Sequence, residues 1–301
     1  EGWTKDPLGA VIEDGLLYGR GSADTKASIV AQISGAKALI ESKEKLSGEI
    51  VITHVVEEEV QSAARKGTVR LLNDGFTADM AINGEATNMK ICLACEGMLE
   101  VQITTLGKRA HGSNPKEGIN AISHMKKVIE EIEQMQPGYN KYTGYGSIVP
   151  GVIFGGERSS VVPDSCYLKV SRFTVPGETG TMFYSQILGI IERLKKTVPD
   201  FNAHAELLYD SNPSSVSDEE PVVRGMIQAF KDFYDINDVE LTGTPQHNDA
   251  DWLTNIGGIP TVIYGPGQTK VGHIPDEYVD VNEVVEAAKI YALTLKNIMN
   301  G

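Results

Sequence analysis

The alternation of strand-like and helix-like segments is the feature of this sequence that most limits its fold. Apolar residues at helical spacing alternate with short apolar runs, and Gly, Asp and Asn separate them. In chain order, the first third gives a hairpin at 9–21 with Asp14-Gly15 as its turn, a helix at 25–43, a strand at 49–56, a helix at 65–75 and a strand at 78–84. This order predicts an α/β domain with a mainly parallel sheet and helices on both faces.

The middle of the chain has a different order. Strands are predicted at 98–107, 147–156, 166–174 and 202–209, with helices at 118–135 and 180–198. That order, β-α-β-β-α-β, is typical of a ferredoxin-like α+β unit. The last third returns to the first pattern, with helices at 219–235, 250–257 and 282–299 and a strand at 260–265. We therefore expect a discontinuous catalytic domain, 1–96 with 210–301, and an inserted lid or dimerisation domain at 97–209.

Composition excludes some partner classes. A chain of 301 residues is long enough for two domains. Its 41 acidic and 27 basic residues give a formal charge of −14, which argues against a nucleic-acid partner because such binding relies on cations. No apolar run approaches the roughly 18 residues of a membrane span, so no membrane association is expected.

The three cysteines are too few for a disulfide framework. Two of them form 92-CLAC-95, which has the spacing of a redox motif or of half a zinc knuckle. Because the pair lies in an apolar stretch and has no second pair, we interpret these residues as ordinary buried thiols. A reducing, cytoplasmic location fits this usage.

Carboxylates and one imidazole recur at predicted strand ends. Asp24 follows the apolar 16-LLY-18, the triplet Glu57, Glu58 and Glu59 ends the strand at 49–56, Glu85 ends 78-ADMAINGE-85, and His273 follows 260-PTVIYGPG-267. The carboxyl ends of parallel strands converge on one crevice. This set of N and O ligands suits one or two Zn²⁺-like ions. A cation would offset the repulsion of adjacent acids, and without it we expect their pKa values to rise.

Each of these residues also has a simpler explanation. Asp24 precedes a helix and is a candidate N-cap, an acidic triplet is usually a solvated loop, and a His between Gly and Pro is usually just exposed. The turn 19-GRGSAD-24 lacks the last glycine of a dinucleotide-binding loop. No G-x-S-x-G or Walker sequence is present, so serine hydrolase and P-loop functions lack support. Recurrence at strand ends favours the metal-site hypothesis.

The ordered motifs resemble those of a known group of enzymes. They stand as 3-WTKDP-7, 19-GRGSADTK-26, 57-EEE-59, 84-GEAT-87, 110-AHGSNPKEGINA-121, 155-GGERSSVVPD-164, 265-GPG-267 and 273-HIPDEY-278. The whole chain resembles the dinuclear zinc amidohydrolases and exopeptidases that include acetylornithine deacetylase, succinyl-diaminopimelate desuccinylase, aminoacylase and glutamate carboxypeptidase.

The resemblance implies a metal and base assignment. Two Zn²⁺ ions, with Co²⁺ as a possible substitute, would be bridged by Asp24. Glu85 would bind one ion, and Glu59 and His273 the other. Glu58 matches the general base of the acidic pair, and Glu57 replaces the Asp that usually comes first.

The resemblance also implies how substrate is held. His111, from the small domain of a partner subunit, would hydrogen-bond the tetrahedral oxyanion in a homodimer. Arg172 would bind the substrate carboxylate with its forked donors, its simpler explanation being a surface ion pair. Ser160 stands where an Asn is usual, among the substrate contacts. The dimer is expected to pair the edge strands or helices of two small domains.

One departure concerns the start of the pattern. The family carries an H-x-D motif upstream of the segment that matches 3-WTKDP-7, and this chain has no His before His54. We expect that the N-terminal part is missing and that the chain alone is inactive. The predicted function is hydrolysis of an amide bond of an N-acyl amino acid or small peptide next to a free carboxylate. The alternatives are a catalytically impaired binding or scaffold protein of the same fold, and a metal-free hydrolase using paired carboxylates.

Overall fold

The computed structural model describes residues 2–59 and 66–300 of the chain. The chain divides into two compact units. The first comprises Glu1–Cys95, Ser214–Thr244 and Asn248–Gly301, and the second comprises Glu96–Pro213 with Pro245–His247. The sequence predicted boundaries near 97 and 209. The catalytic role of the first unit and the lid or dimerisation role of the second stay predictions.

The helices and strands of the described residues are numbered here in chain order. The strands are β1 (Val11–Glu13), β2 (Leu16–Tyr18), β3 (Ala81–Asn83), β4 (Ile91–Cys95), β5 (Gly97–Leu106), β6 (Tyr139–Asn140), β7 (Gly144–Tyr145), β8 (Ser147–Gly155), β9 (Ser165–Thr174), β10 (Asn202–Ser211), β11 (Ser214–Ser215), β12 (Leu241–Thr244), β13 (Thr261–Ile263) and β14 (Tyr278–Asp280). The α-helices are α1 (Ala27–Ser42), α2 (Thr68–Asn73), α3 (Ala121–Ile132), α4 (Gly180–Thr197), α5 (Pro221–Tyr234), α6 (Ala250–Asn255) and α7 (Val281–Met299).

The larger sheet of the first unit has the order β11-β4-β13-β3, with β12 also paired to β4. β12–β4 and β13–β3 are parallel, whereas β11–β4 and β13–β4 are antiparallel. The predicted α/β class is confirmed, but this sheet is mixed rather than mainly parallel. The reason lies in the link 84–90 between β3 and β4, because it is shorter than the dozen or so residues of a parallel crossover.

Helices and a second, three-stranded sheet complete the first unit. α7 packs against both α1 and α5. The sheet β1-β2-β14 is antiparallel and starts with the predicted hairpin. Its turn residues Asp14 (φ 51°) and Gly15 (φ 81°) both have positive φ, as a tight two-residue hairpin turn requires. β14 was not predicted, and it brings the 273–277 segment beside the end of β2.

The strand predicted at 49–56 is wrong. The structure has no strand there, and four of the five apolar side chains of the segment, those of Val51, Ile52, Val55 and Val56, are exposed. A strand is defined by the ladder it shares with a neighbour. Among the described residues, β3 pairs with β13, and nothing pairs with 49–56. An apolar run indicated a buried strand, but no ladder partner completes it. The predicted helix at 65–75 is shorter than expected, since only α2 forms; residues 60–65 lie outside the described residues.

The second unit has the predicted β-α-β-β-α-β order, from β5, α3, β8, β9, α4 and β10. Its sheet has the order β10-β5-β9-β8, with every neighbouring pair antiparallel. Buried and less buried residues alternate along β5, so one face of the sheet carries the core. α3 and α4 cover that face with Met125, Phe183 and Ile187. A short hairpin, β6–β7, precedes the edge strand β8 and was not predicted.

The cysteines confirm the interpretation as buried thiols. Cys92, Cys95 and Cys166 are free and buried. Burial raises the pKa of Cys92 to about 12 and that of Cys95 to about 11, so both stay protonated at neutral pH. In the part of the chain that the structure describes, no helix is both long and apolar enough to cross a bilayer.

The core of the second unit gives a first testable prediction. Leu99 on β5 is 0% exposed, whereas Leu106 at the end of the same strand is 37% exposed. Leu99→Ala should lower the free energy of unfolding by about 2–5 kcal/mol, because it leaves a cavity. Leu106→Ala is the matched control and should stay within about 0.5 kcal/mol of the unsubstituted protein. Equilibrium unfolding in urea measures both, and equal losses would contradict this placement of the core.

Candidate metal and acid–base site

Three of the predicted metal ligands meet in the first unit. His273 Nε2 lies 2.9 Å from Asp24 Oδ2 and 3.1 Å from Glu59 Oε1. One ligand atom from each of the three residues lies within 4.8 Å of the others. Two carboxylates and one imidazole at one centre form a set that suits a catalytic zinc-type ion. The donor types and their spacing therefore fit a divalent cation.

The alternative reading of Asp24 as a helix cap does not hold. The residue flanking the start of α1 is Lys26, and no side chain caps the helix there. The Asp24 carboxylate contacts His273 instead. The loop bearing Asp24 is also tied to the end of β3, because Thr25 Oγ1 donates to the Gly84 carbonyl (3.1 Å). Asp24 therefore does not cap α1, and its role as a metal ligand stays a prediction.

The side chains of the three adjacent glutamates have different surroundings. Glu57 has a left-handed backbone (φ 64°), an uncommon conformation for a residue other than glycine, and its carboxylate contacts Lys66 Nζ at 3.1 Å. Glu59 contacts His273. Glu58 is partly buried, with acidic neighbours. The triplet is thus not a uniformly solvated loop, and Glu58 and Glu59 belong to the site.

The electrostatics confirm that the acids crowd one another. Burial, then the nearby charges of Asp249, Glu59 and Asp24, raise the pKa of Glu58 to about 8. Burial and Asp24 also raise the pKa of Glu59, although His273 acts in the opposite direction. The predicted rise in pKa among these acids is therefore confirmed for both glutamates.

Glu85 belongs to the same site but not to the three-residue contact. Burial, followed by the charges of Glu58 and Asp24, raises the pKa of Glu85 well above its ordinary value. The segment after it is fixed to the 265-GPG-267 turn, because Gly265 N–H donates to Thr87 Oγ1 (3.1 Å) and Asn88 N–H donates to the Gly267 carbonyl (2.9 Å). At Gly265 a Cβ atom would stand 2.5 Å from the Glu85 carbonyl oxygen, so this close approach requires glycine.

Sequence reasoning missed two acids of this site. Asp249 is 8% exposed, accepts a 2.6 Å hydrogen bond from Thr68 Oγ1 and acts on the pKa of Glu58. It follows β12, a strand whose sequence, LTGT, carries little apolar signal. Glu277 is buried beneath the Asp24 loop. It stands in the quoted motif 273-HIPDEY-278, four residues after His273, and that spacing was the available signal.

The predicted oxyanion donor and one predicted substrate contact lie together in the second unit. His111 pairs with Val161 in an isolated bridge, and Gly112 N–H donates to the Ser160 carbonyl (2.7 Å). Both His111 and Ser160 are exposed. His111 Nδ1 accepts from Ser113 N–H (3.2 Å) and lies 2.8 Å from Ser113 Oγ. When Nδ1 accepts, the neutral ring carries its proton on Nε2.

Arg172 is placed differently from the expectation. Its side chain is buried on the core face of β9, where it forms an ion pair with Glu178 and lies over the Phe183 ring, 5.8 Å from the centroid. Because Arg172 as a whole residue is only 3% exposed, its guanidinium offers no surface to a substrate in this structure. Arg172 is buried in this ion pair, whereas Glu178 is partly exposed. For Arg172 to meet a substrate carboxylate, its pair with Glu178 would have to open, so this role stays a prediction.

The family is decided by the extent of the sequence match. The profile of "Peptidase family M20/M25/M40" matches residues 1–297. The chain belongs to this peptidase family. The resemblance inferred from the motifs is therefore confirmed, and as a family member the chain is a hydrolase.

Individual relatives agree with this assignment. The chain is 28% identical to an acetylornithine deacetylase of Buchnera aphidicola subsp. Schizaphis graminum, over 98% of this chain and 76% of that protein. It is 27% identical to an N-formyl-4-amino-5-aminomethyl-2-methylpyrimidine deformylase of Bacillus subtilis, over 96% of this chain and 74% of the relative. The fold is similar to that of a dinuclear metal-binding peptidase of the M20 family from Bacillus subtilis, with a TM-score of 0.68 and 15% identity over 90% of this chain and 70% of that structure.

The raised pKa of Glu58 predicts how the stability of the chelator-treated protein depends on pH. The folded protein holds a proton on Glu58 up to about pH 8, whereas the unfolded chain releases it near the ordinary value of 4.5. Between these values the unfolded state binds fewer protons, so the free energy of unfolding should fall as pH rises. Glu58→Gln removes this proton and should flatten the fall. Urea unfolding across this pH window measures the effect, with Glu57→Gln as the neighbouring control; a Glu58→Gln slope equal to that of the unsubstituted protein would contradict it.

Proposed function

We propose that this protein is a metal-dependent amidohydrolase. It cleaves an amide bond of an N-acyl amino acid or small peptide next to a free carboxylate. The observation that carries the proposal is the contact of Asp24, Glu59 and His273, with Glu58 partly buried beside them. The substrates named for the deacetylase and the deformylase, both acylated amines, support an amide bond as the target.

The donors Asp24, Glu59 and His273 suit one divalent cation, and we propose a second beside Glu85; the proposed metal is Zn²⁺, with Co²⁺ as a possible substitute. Glu59 and His273 would hold one ion, Glu85 the other, and Asp24 both, and the solved peptidase of similar fold is described as dinuclear. Mixed carboxylate and imidazole donors suit these metals. When bound, such ions polarise a scissile carbonyl and make a water molecule more acidic.

Glu58 is the proposed general base. It lies next to Glu59 in sequence and is not one of the residues in the three-ligand contact, so its carboxyl group is not taken up as a ligand there. It would accept the proton of the attacking water and deliver it to the leaving amine. Burial removes competing bulk water from this carboxylate.

His111 is the proposed donor to the oxyanion. Since Ser113 N–H is directed at Nδ1, the neutral ring presents an N–H at Nε2. That group is the type of donor that stabilises negative charge developing on a carbonyl oxygen. Ser160, whose backbone lies beside Gly112, is the proposed neighbour that contacts substrate. Arg172 would join them only with its ion pair to Glu178 open.

A homodimer is the proposed assembly, with His111 acting on the crevice of the partner subunit. β8 is an edge of its sheet, since in the described residues it pairs with β9 alone. The strand carries four exposed apolar side chains, those of Val149, Val152, Ile153 and Phe154. An open apolar edge is a template for pairing with another chain, and two copies can pair in an isologous contact. A cytoplasmic location is also proposed, supported by the three free cysteines.

The base assignment is tested by Glu58→Gln. An amide cannot accept the proton, so turnover of an N-acetyl amino acid should fall by about 10²–10⁴-fold while bound zinc stays unchanged. Glu57→Gln is the matched control, because that carboxylate contacts Lys66, and it should keep most of the activity. Zinc content by atomic absorption and initial rates are the measurements. Unchanged turnover in Glu58→Gln would move the role to Glu57. A protein that binds zinc yet hydrolyses no acyl amino acid or peptide would favour a binding protein of the same fold.

The assembly is tested by placing a charge on the proposed edge. Ile153→Glu should convert the dimer to a monomer in sedimentation velocity, because two glutamates would face each other across the isologous contact. Ile12→Glu, on an exposed β1 position of the first unit, is the control and should leave the dimer intact.

His111→Ala should lower the rate by about 10²–10³-fold, the usual effect of losing one oxyanion donor. A monomeric protein with normal turnover would overturn the partner role of His111.

A further inference from the structure

Glu277 is a buried carboxylate to which the proposed reaction gives no part. It is 1% exposed. A carboxylate so far from water must be hydrogen-bonded or paired to remain charged. Four donors surround it, and three of them are backbone N–H groups of the loop that carries Asp24. These bonds hold the backbone of the Asp24 loop against one side chain.

The two oxygens of Glu277 divide the loop between them. Oε1 accepts from Ala23 N–H (3.1 Å) and Asp24 N–H (3.0 Å). Oε2 accepts from Gly21 N–H (3.1 Å) and from Arg20 Nη1 (2.8 Å). Because each of its oxygens already accepts two hydrogen bonds, we do not propose Glu277 as a further metal ligand. Its charge is directed at the backbone, where charge-assisted bonds are stronger than neutral ones.

The backbone of the same residue adds a further tie. Gly19 N–H donates to the Glu277 carbonyl (2.9 Å), next to the antiparallel pair of Tyr18 and Tyr278. The loop is thus held by the strand ladder at its start and by the carboxylate as far as Asp24. Gly21 has a left-handed backbone (φ 79°), and this turn lets several N–H groups of the loop face the same carboxylate.

Glu277 also belongs to the segment that supplies His273. That residue lies four positions earlier, has a left-handed backbone (φ 65°) and places Nε2 2.9 Å from Asp24 Oδ2. One short segment therefore provides the imidazole and clamps the backbone of the carboxylate that meets it. The contact between Asp24 and His273 and the bonds of Glu277 therefore join the same two segments.

We propose that Glu277 is a positioning residue for the metal centre, fixing the 20–24 backbone so that the Asp24 carboxylate faces His273 and Glu59. This inference rests on the proposed metal site. Groups that orient ligands from outside the coordination shell usually change metal affinity by about 10–100-fold when they are altered. Glu277 acts through Asp24 and does not itself touch substrate or cation.

The test uses Glu277→Gln and Zn²⁺ as the probe. The amide keeps the shape of the side chain but presents an NH₂ group to N–H donors, so part of the clamp is lost. Competition with a chromophoric chelator should show zinc affinity weakened by about 10–100-fold. Asp276→Asn is the matched control, because that neighbouring carboxylate binds Thr4 and Lys5 instead and should leave zinc affinity unchanged.

A double-substitution cycle separates positioning from a general structural role. If Glu277 acts through Asp24, then adding Glu277→Gln to Asp24→Asn should change zinc affinity by less than about twofold. A full additional loss in that background would overturn the inference. So would a Glu277→Gln protein that melts at a lower temperature yet binds zinc normally well below that temperature.

A second variant covers the case in which Glu277→Gln does not fold. Glu277→Asp keeps the charge, but its carboxylate is one methylene shorter and cannot reach the donors of both oxygens at their present distances. It should show an intermediate loss of zinc affinity, and unchanged affinity in this variant would overturn the inference. If the unsubstituted chain itself binds no zinc, the proposed function fails, which is a result distinct from failure of the role of Glu277.

Discussion

Mutual repulsion among carboxylates is the constraint on which the site depends. Burial, and then the charges of neighbouring acids, raise the pKa values of Glu58, Glu59 and Glu85. Asp24 is one of the acids that act on all three glutamates. Side chains that repel cannot hold themselves together. Their approach must be maintained either by opposite charge placed between them or by contacts of the backbone segments that carry them.

The backbone contacts that meet this need lie one step behind the acids. Glu277 binds the loop before Asp24, Gly265 and Thr87 tie the segment after Glu85, and Thr68 donates to Asp249 near Glu58. None of these bonds uses the ligand atoms themselves. The site is therefore preorganised by its surroundings, which leaves the carboxylate oxygens of Asp24 and Glu59 directed at His273. A second layer of this kind is what a crowded anionic centre requires.

Residue type and position after apolar runs selected Asp24, Glu59 and His273 as candidate ligands, and the structure brings these three side chains together. Their role as metal ligands stays a prediction. Asp24, Glu59 and His273 could be selected because each follows an apolar run, and local chemistry at such ends is readable along the chain. Glu277 could not be assigned a role in this way, because its partner Asp24 lies 253 positions away. The apolar run at 49–56 was misread as a buried strand because periodicity carries no information about whether a ladder partner exists.

Arg172 shows a signal that was present but outweighed. Cys166, Leu168 and Val170 alternate along β9 and mark the even-numbered face as the buried one, and Arg172 continues that series. The motif suggested a ligand contact, whereas the pleat placed the guanidinium inside with Glu178. A two-residue period thus located the side chain better than the motif did, because the pleat of a strand is a geometric necessity and a motif match is not.

The electrostatics of Glu58 link the proposed base to the proposed cations. Burial and three acidic neighbours favour its protonated form, with a pKa of about 8, and a protonated carboxyl cannot accept a proton from water. A divalent cation beside Glu59 acts in the opposite sense, because an opposite charge within a few ångströms favours the ionised form. Two of the acids that raise the pKa of Glu58, Glu59 and Asp24, are proposed ligands whose charge a cation would offset. With a cation bound, the proposed base would therefore be ionised at a lower pH than without it, and this coupling would make a neighbourhood rich in carboxylates compatible with general-base catalysis.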